Sequence, residues 1–164
     1  MRERGKARDI ALMGMMAAAL EAAKFVLSFL PNVELVTLLI ILYTLYFGKK
    51  VLPVIAVFVL LEGCRYGFGL WWVMYLYAWP LLAGVTWLLR RQRSAWVFSI
   101  LAGAFGLSFG ALCAVPYFFA GGPAAAFSWW VAGIPYDIIH CVSNFLLCRL
   151  LFCPLRDVME KIGN

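Results

Sequence analysis

The sequence predicts an all-α integral membrane protein, folded as one compact bundle of six transmembrane helices with both termini cytoplasmic. Three observations predict it. Twelve of the fourteen Lys and Arg residues fall in four clusters, Arg2 to Arg8, Lys49-Lys50, Arg90 to Arg93 and Arg149 to Lys161, separated by long apolar stretches. Six alternating spans put all four clusters on one face, which the positive-inside rule makes the cytoplasmic one. With 65% apolar residues, 13% charged residues and a mean hydropathy of +0.92, the chain also has too little polar surface to solvate a globule of its size. Lastly, turn-forming residues punctuate the apolar stretches at short intervals.

Taken in order, the expected spans are about 9–30, 33–48, 50–66, 70–89, 95–119 and 124–153. Pro31-Asn32 turns the first hairpin, and Gly48-Lys49-Lys50 the second. The second span is the shortest, at roughly 24 Å of helix against a hydrocarbon core of ~30 Å, so it must stand upright or thin the bilayer. Gly67-Phe68-Gly69 and Gly121-Gly122-Pro123 close the third and fifth spans. The sixth is longer than one crossing needs and is interrupted by Gly133 and Pro135. Either this helix projects from the membrane or Ala124 to Trp130 forms an outer lid with a helix starting near Val131, and the preference of proline for a first helical turn favours the lid. Connections this short make residues 1–164 a single membrane domain. The first span reads as retained, lacking an A-x-A-like exit and carrying Glu21 and Lys24. No internal repeat is visible, which disfavours an inverted-repeat transporter.

Several function classes are disfavoured at this point. The net charge of +6 is explained by topology and by attraction to anionic lipid, so no nucleic-acid partner is expected. The five cysteines, at 64, 113, 141, 148 and 153, form no C-x-x-C pair and read as small buried thiols. A single histidine argues against a multi-His metal site, and neither metal nor cofactor is expected. The chain has no P-loop, so any ATP-driven step must be powered by other subunits. The proximity of Asp137 and His140 raises hydrolysis, but no G-x-S-x-G elbow or second histidine supports a triad, and no catalytic residue is assigned.

Ionisable groups inside apolar spans carry the functional signal, because Asp or Lys at the centre of a span costs ~2.5 to 3.5 kcal/mol even on the lenient insertion scale. Glu21 and Lys24, three apart, can neutralise each other along one helical face. Glu62, Arg65 and Tyr66 share a face at the outer end of the third span, as a solvated interfacial pair or as a binding group. Asp137, His140 and Asn144 form a polar stripe at i, i+3 and i+7, either bonding neighbouring helices or touching a ligand. Outside the basic clusters the charge remainder is mildly acidic, with Glu21, Glu34, Glu62 and Asp137 against Lys24 and Arg65. Trp72, Tyr75 and Trp79 repeat at i, i+3 and i+7 and suit a planar heterocycle, whereas Trp71, Trp129 and Trp130 read as interface anchors. Small residues run down the first span as Ala11, Gly14, Ala18 and Ala22, with a second pair at Ala19 and Ala23, a spacing that lets another helix approach closely. Gly106-x-x-x-Gly110 serves internal packing by the same rule.

In combination, six short spans with both ends inside, the alanine-rich first span, Pro31-Asn32-Val33-Glu34-Leu35-Val36, Gly48-Lys49-Lys50 and Gly133-Ile134-Pro135-Tyr136-Asp137-Ile138-Ile139-His140 resemble the substrate-binding S components of energy-coupling factor (ECF) transporters. The resemblance covers nearly the whole chain. It implies a bacterial cytoplasmic-membrane protein that captures a vitamin or precursor near the outer face and associates with a scaffold T component and two cytoplasmic ATPases. It also implies a partner-facing A-x-x-x-A stripe on the first helix, from which Gly14 departs. By position it recruits Glu62, Arg65, Tyr66, Trp72, Tyr75, Trp79, Tyr136, Asp137, His140 and Asn144 to the substrate pocket, with Asn32 and Glu34 as looser candidates. A small membrane enzyme acting on a lipid headgroup, or an oligomeric small-solute channel, remain the competing readings.

Overall fold

A computed structural model describes the backbone of residues 2–163 and the side chains of residues 7–161. Every regular element in it is helical: α1 (Arg2–Val26), α2 (Val36–Phe47), a 3-10 turn (Gly48–Lys50), α3 (Val51–Tyr66), α4 (Leu70–Leu88) and α5 (Ala95–Gly163). The turns fall where glycine and proline chemistry places them. Asn32 and Gly48 both take φ of 57°, and Gly67 takes φ of 88°. At Gly48 the turn also brings the backbone against the Trp87 ring, which a Cβ would meet at 3.2 Å.

The six-transmembrane bundle does not hold. Among the described residues only two stretches are long and apolar enough to cross a membrane, Val36–Tyr66 and Ala95–Lys161. α2 alone has twelve residues, roughly 18 Å of rise, well short of a bilayer core, and reaches crossing length only together with the 3-10 turn and α3. α1 carries charge at both ends, and α4 takes much of its bulk from Trp and Tyr, whose amphipathic rings count for less than aliphatic side chains.

α5 corrects a second expectation. Residues 124–130 are helical and run without a break into residues 131–163, so they form no separate lid, and Pro135 lies inside the helix instead of opening it. The break sits earlier, at Gly122 with φ 78° and ψ −176°, a conformation open to glycine alone. Pro123 then occupies the first turn of the second arm, where its missing N–H costs nothing. The two arms, 95–121 and 123–163, fold back on each other through small residues. A Cβ at Gly106 would come within 2.7 Å of the His140 carbonyl oxygen, and one at Gly110 would strike the Asp137 carboxylate. Gly106 and Gly110 thus pack within the molecule, as their spacing suggests.

α2 is buried from Val36 to Thr44 and is apolar around its whole circumference, the signature of a central helix. It packs against α4 and α5, while α1 packs on α3. Leu20, Ile40, Ile41, Val54, Phe58, Ala78, Phe98 and Phe152 fill the space between these helices. The outside is apolar too: Val57, Leu60, Leu76, Leu107, Phe119, Ile138, Leu146 and Leu150 are all exposed. That is far more contiguous apolar surface than a water-soluble monomer shows. The basic clusters gather at one end of the molecule. Lys50 Nζ lies 2.8 Å from Asp9 Oδ1, and Tyr46 at the end of α2 reaches both the Arg90 to Arg93 turn and the last turns of α5.

Candidate functional site

At the end opposite the basic clusters, the α1–α2 loop folds over the end of α3, the start of α4 and the middle of α5's two arms and leaves a cavity of about 400 Å³. This volume lies within the range of small-molecule sites. One wall comes from α1 and the loop, through Lys24, Ser28, Asn32 and Glu34. α3 contributes Tyr66, α4 contributes Trp71, Tyr75 and Trp79, and α5 contributes Phe109 and His140.

The aromatic wall arises from helical spacing. Trp71, Tyr75 and Trp79 stand at i, i+4 and i+8, with consecutive ring centroids 5.3 and 5.4 Å apart in edge-to-face contact. Phe109 continues the wall at 5.9 Å from Trp79, and the His140 ring lies 4.9 Å beyond it. Trp72 does not belong to this face. Its Nε1–H donates to the Val59 carbonyl at 2.8 Å, and its ring packs beside Gly63 and Phe68 on the α3 side. Two tryptophans that differ by one position, and hence by about 100° around the helix, therefore exchange the roles expected of them, Trp71 lining the cavity and Trp72 tying α4 to α3.

Polar groups reach the cavity through two networks. In the first, Glu34 accepts the Thr37 backbone N–H at 2.9 Å and the Thr37 hydroxyl at 2.5 Å, which caps the start of α2, and sits 3.2 Å from His140 Nε2. Burial alone would push the Glu34 carboxyl up, but the hydrogen bonds with His140 and Thr37, with the attraction of His140, hold it below the usual range. Asn144 extends the network inward, donating to Thr37 Oγ1 at 3.2 Å. Ser143 donates to the Asn32 carbonyl at 2.7 Å and so fixes the loop that carries Glu34.

In the second network Lys24 pairs with Glu62, whose side chain is fully buried, and donates to the Tyr75 hydroxyl at 3.1 Å. Its ammonium also lies 5.0 Å from the Tyr75 ring centre and 5.4 Å from that of Tyr66. The expected pairing of Lys24 with Glu21 is thus replaced by a pair across α1 and α3. Spacing along one helix could not reveal this, since Glu62 is brought over by the α1–α3 packing.

The remaining expected site residues lie elsewhere. Arg65 turns outward, its guanidinium over Phe25 and Tyr66 at 4.9 and 5.1 Å, so Glu62, Arg65 and Tyr66 do not act as one cluster. Tyr136 is 56% exposed and away from the cavity. Asp137 is buried, with Oδ1 accepting the Gly110 N–H at 2.9 Å, and holds the arms of α5 together. Asn144 lies beneath the cavity, as support for Thr37. Lys24, Trp71, Phe109 and Thr37 complete the site and were not among the expected site residues.

The chemistry on offer is specific. Lys24 is matched by Glu62, leaving the Glu34 carboxylate, shared with His140, as the anionic group on the wall. Trp79 Nε1 and His140 Nδ1, on two cavity-lining residues, are buried without a hydrogen-bond partner, as is Asn144 Oδ1 beneath them. Buried polar atoms of this kind are rare enough that each calls for a partner. A flat ligand can meet the rings by its faces and the Glu34 carboxylate by its edge. No family model, no curated protein and no solved structure matches the chain.

Proposed function

We propose that this chain is a membrane-embedded capture protein for a small planar heterocycle, neutral or cationic, of the size of a vitamin or vitamin precursor. It hands its ligand to partner subunits that hydrolyse ATP, as the substrate-binding components of ECF-type importers do, and it resides in the bacterial cytoplasmic membrane with its basic end inside. The observation that carries the reading is the 400 Å³ cavity in which the aromatic wall of Trp71, Tyr75, Trp79 and Phe109 meets Glu34 and His140. The two stretches long enough to cross a membrane and the apolar exterior support the location. Ala11, Gly14, Ala18, Ala19 and Ala22 lie exposed along α1, with Ala23 half-buried, which suits close approach by a helix of a scaffold subunit.

Calorimetric titration of the purified chain with a panel of heterocyclic vitamins and their precursors tests it. The expected result is saturable binding of one of them, weakened about tenfold or more in Glu34→Gln, since losing one charge-assisted hydrogen bond costs ~1.5 to 3 kcal/mol. Absence of binding across the panel by protein shown to be folded would overturn the vitamin-type ligand.

A further inference from the structure

We propose that the basic end of the molecule carries a phosphate site: a hollow between the end of α2, the α4–α5 turn and the last turns of α5, in which Arg90, Arg93 and Arg156 receive a phosphate group. The hollow encloses about 150 Å³. At ~30 Å³ per water molecule this is room for a few waters or one phosphate group. Its floor is apolar and rigid, formed by the stacked rings of Phe98 and Phe152, whose centroids are 5.1 Å apart. Its rim is polar, with Arg90, Gln92 and Arg93 from the turn, Arg156 and Glu160 from α5, and Tyr46 from α2.

Three guanidiniums face one carboxylate across this rim. Arg90 is preorganised, lying 4.5 Å from the Trp87 ring centre and donating from Nη1 to the Trp87 carbonyl at 3.0 Å. Arg156 is held by its neighbour Asp157, with Nε and Nη2 at 3.1 and 3.0 Å from Oδ1. Arg93 and Gln92 make no side-chain hydrogen bond among the described residues, which leaves their donors for an anion. Glu160 occupies one side of the rim, accepting the Tyr46 hydroxyl at 3.2 Å and standing 3.9 Å from Arg156 Nε. Two carboxylates, Asp157 on Arg156 and Glu160 on the rim, leave the three guanidiniums with a positive excess carried by Arg90 and Arg93, whose planar forks match the oxygens of a phosphate. Converging positive charge of this kind raises the local concentration of anions. The chemistry is shared by inorganic phosphate and by the headgroup of an anionic phospholipid, and it is independent of the cavity at the other end.

The test uses the full chain in nanodiscs and reads its thermal midpoint in two arms: zwitterionic phosphatidylcholine discs titrated with inorganic phosphate against chloride at matched ionic strength, and the same discs doped with anionic phosphatidylglycerol in buffer free of inorganic phosphate. An upward shift in the first arm alone assigns the site to free phosphate, in the second alone to a lipid headgroup, and in both to either source. The double variant R90Q/R93Q should lose the shift, whereas K49Q/R91Q, which removes the same charge outside the hollow, should keep it. Glu160→Gln removes the competing carboxylate and should tighten binding about twofold to fivefold, the range of an exposed ion pair. This is a gain that misfolding cannot imitate. No shift in either arm, equal losses in the two double variants, or weaker binding in Glu160→Gln would each overturn the proposal.

Discussion

At the cavity end, the ionisable groups are buried and bonded to partners in the interior: Lys24 to Glu62, which is 0% exposed, and Glu34 to His140, which is 3% exposed. At the basic end, charge is exposed and only partly matched. The Lys50–Asp9 pair has side chains 45% and 46% exposed, and the Arg156–Asp157 pair 36% and 60%. Ion pairs on the two ends therefore differ in kind. Removing one member of a buried pair strands a charge where nothing solvates it, while an exposed pair is screened and each partner falls back on water. Substitutions at the first end should therefore weigh on fold stability far more than those at the second.

This contrast orders the outcomes of substitution. Lys24→Met should have the largest effect, about 3 to 5 kcal/mol of destabilisation, because Glu62 is left buried without its partner, and the double variant K24M/E62L should recover most of it. Denaturation midpoints in detergent check this, and an unchanged midpoint in Lys24→Met would break the contrast at its strongest point. Gly106→Leu should cost about 1 to 3 kcal/mol by forcing the arms of α5 apart. Gly14→Leu, at a position with open space around it, is the control and should leave the midpoint nearly unmoved.

Glu34 gives a pH signature. Its carboxyl titrates below the ordinary value of 4.5 in the folded protein, so the stability it contributes is fully present above that value and is lost as pH falls through the folded one. Stability measured down through the acid range should decline more steeply for the parent chain than for Glu34→Gln. The smallest effect is expected at the basic end. Lys50→Gln should shift stability by no more than ~0.5 kcal/mol, and raising the salt concentration should erase even that.

How much of this was readable from the amino-acid order differs between the two ends as well. Turns and charge clusters are local signals, so Pro31-Asn32, Gly48 and Gly67 were placed correctly and the basic residues do gather at one end. Counting crossings from those turns failed, because a turn-bounded apolar stretch need not be a membrane-long one, as the twelve residues of α2 illustrate. The α5 break was misplaced for a related reason. Pro135 looked like a helix start, yet Gly122-Pro123 supplies both the glycine conformation and the first-turn proline. At the cavity, Asn32, Glu34, Tyr66, Tyr75, Trp79 and His140 were singled out in advance and do meet. Trp71 and Trp72 were exchanged because an i, i+3, i+7 stripe and an i, i+4, i+8 stripe are equally good helical faces, and only the Val59 carbonyl decides between them. The roles of Lys24 and Thr37 come from long-range packing, which periodicity does not report.

The two neighbouring tryptophans provide the most direct measurement. Titration of a bound heterocycle against the intrinsic fluorescence of Trp71→Phe and Trp72→Phe should show the quenching reduced in the first variant, with Trp79 reporting the remainder, and retained in full in the second, because of the two only Trp71 lines the cavity. Quenching that persists in Trp71→Phe and disappears in Trp72→Phe would place the ligand on the α3 side of α4 and contradict the account of the site.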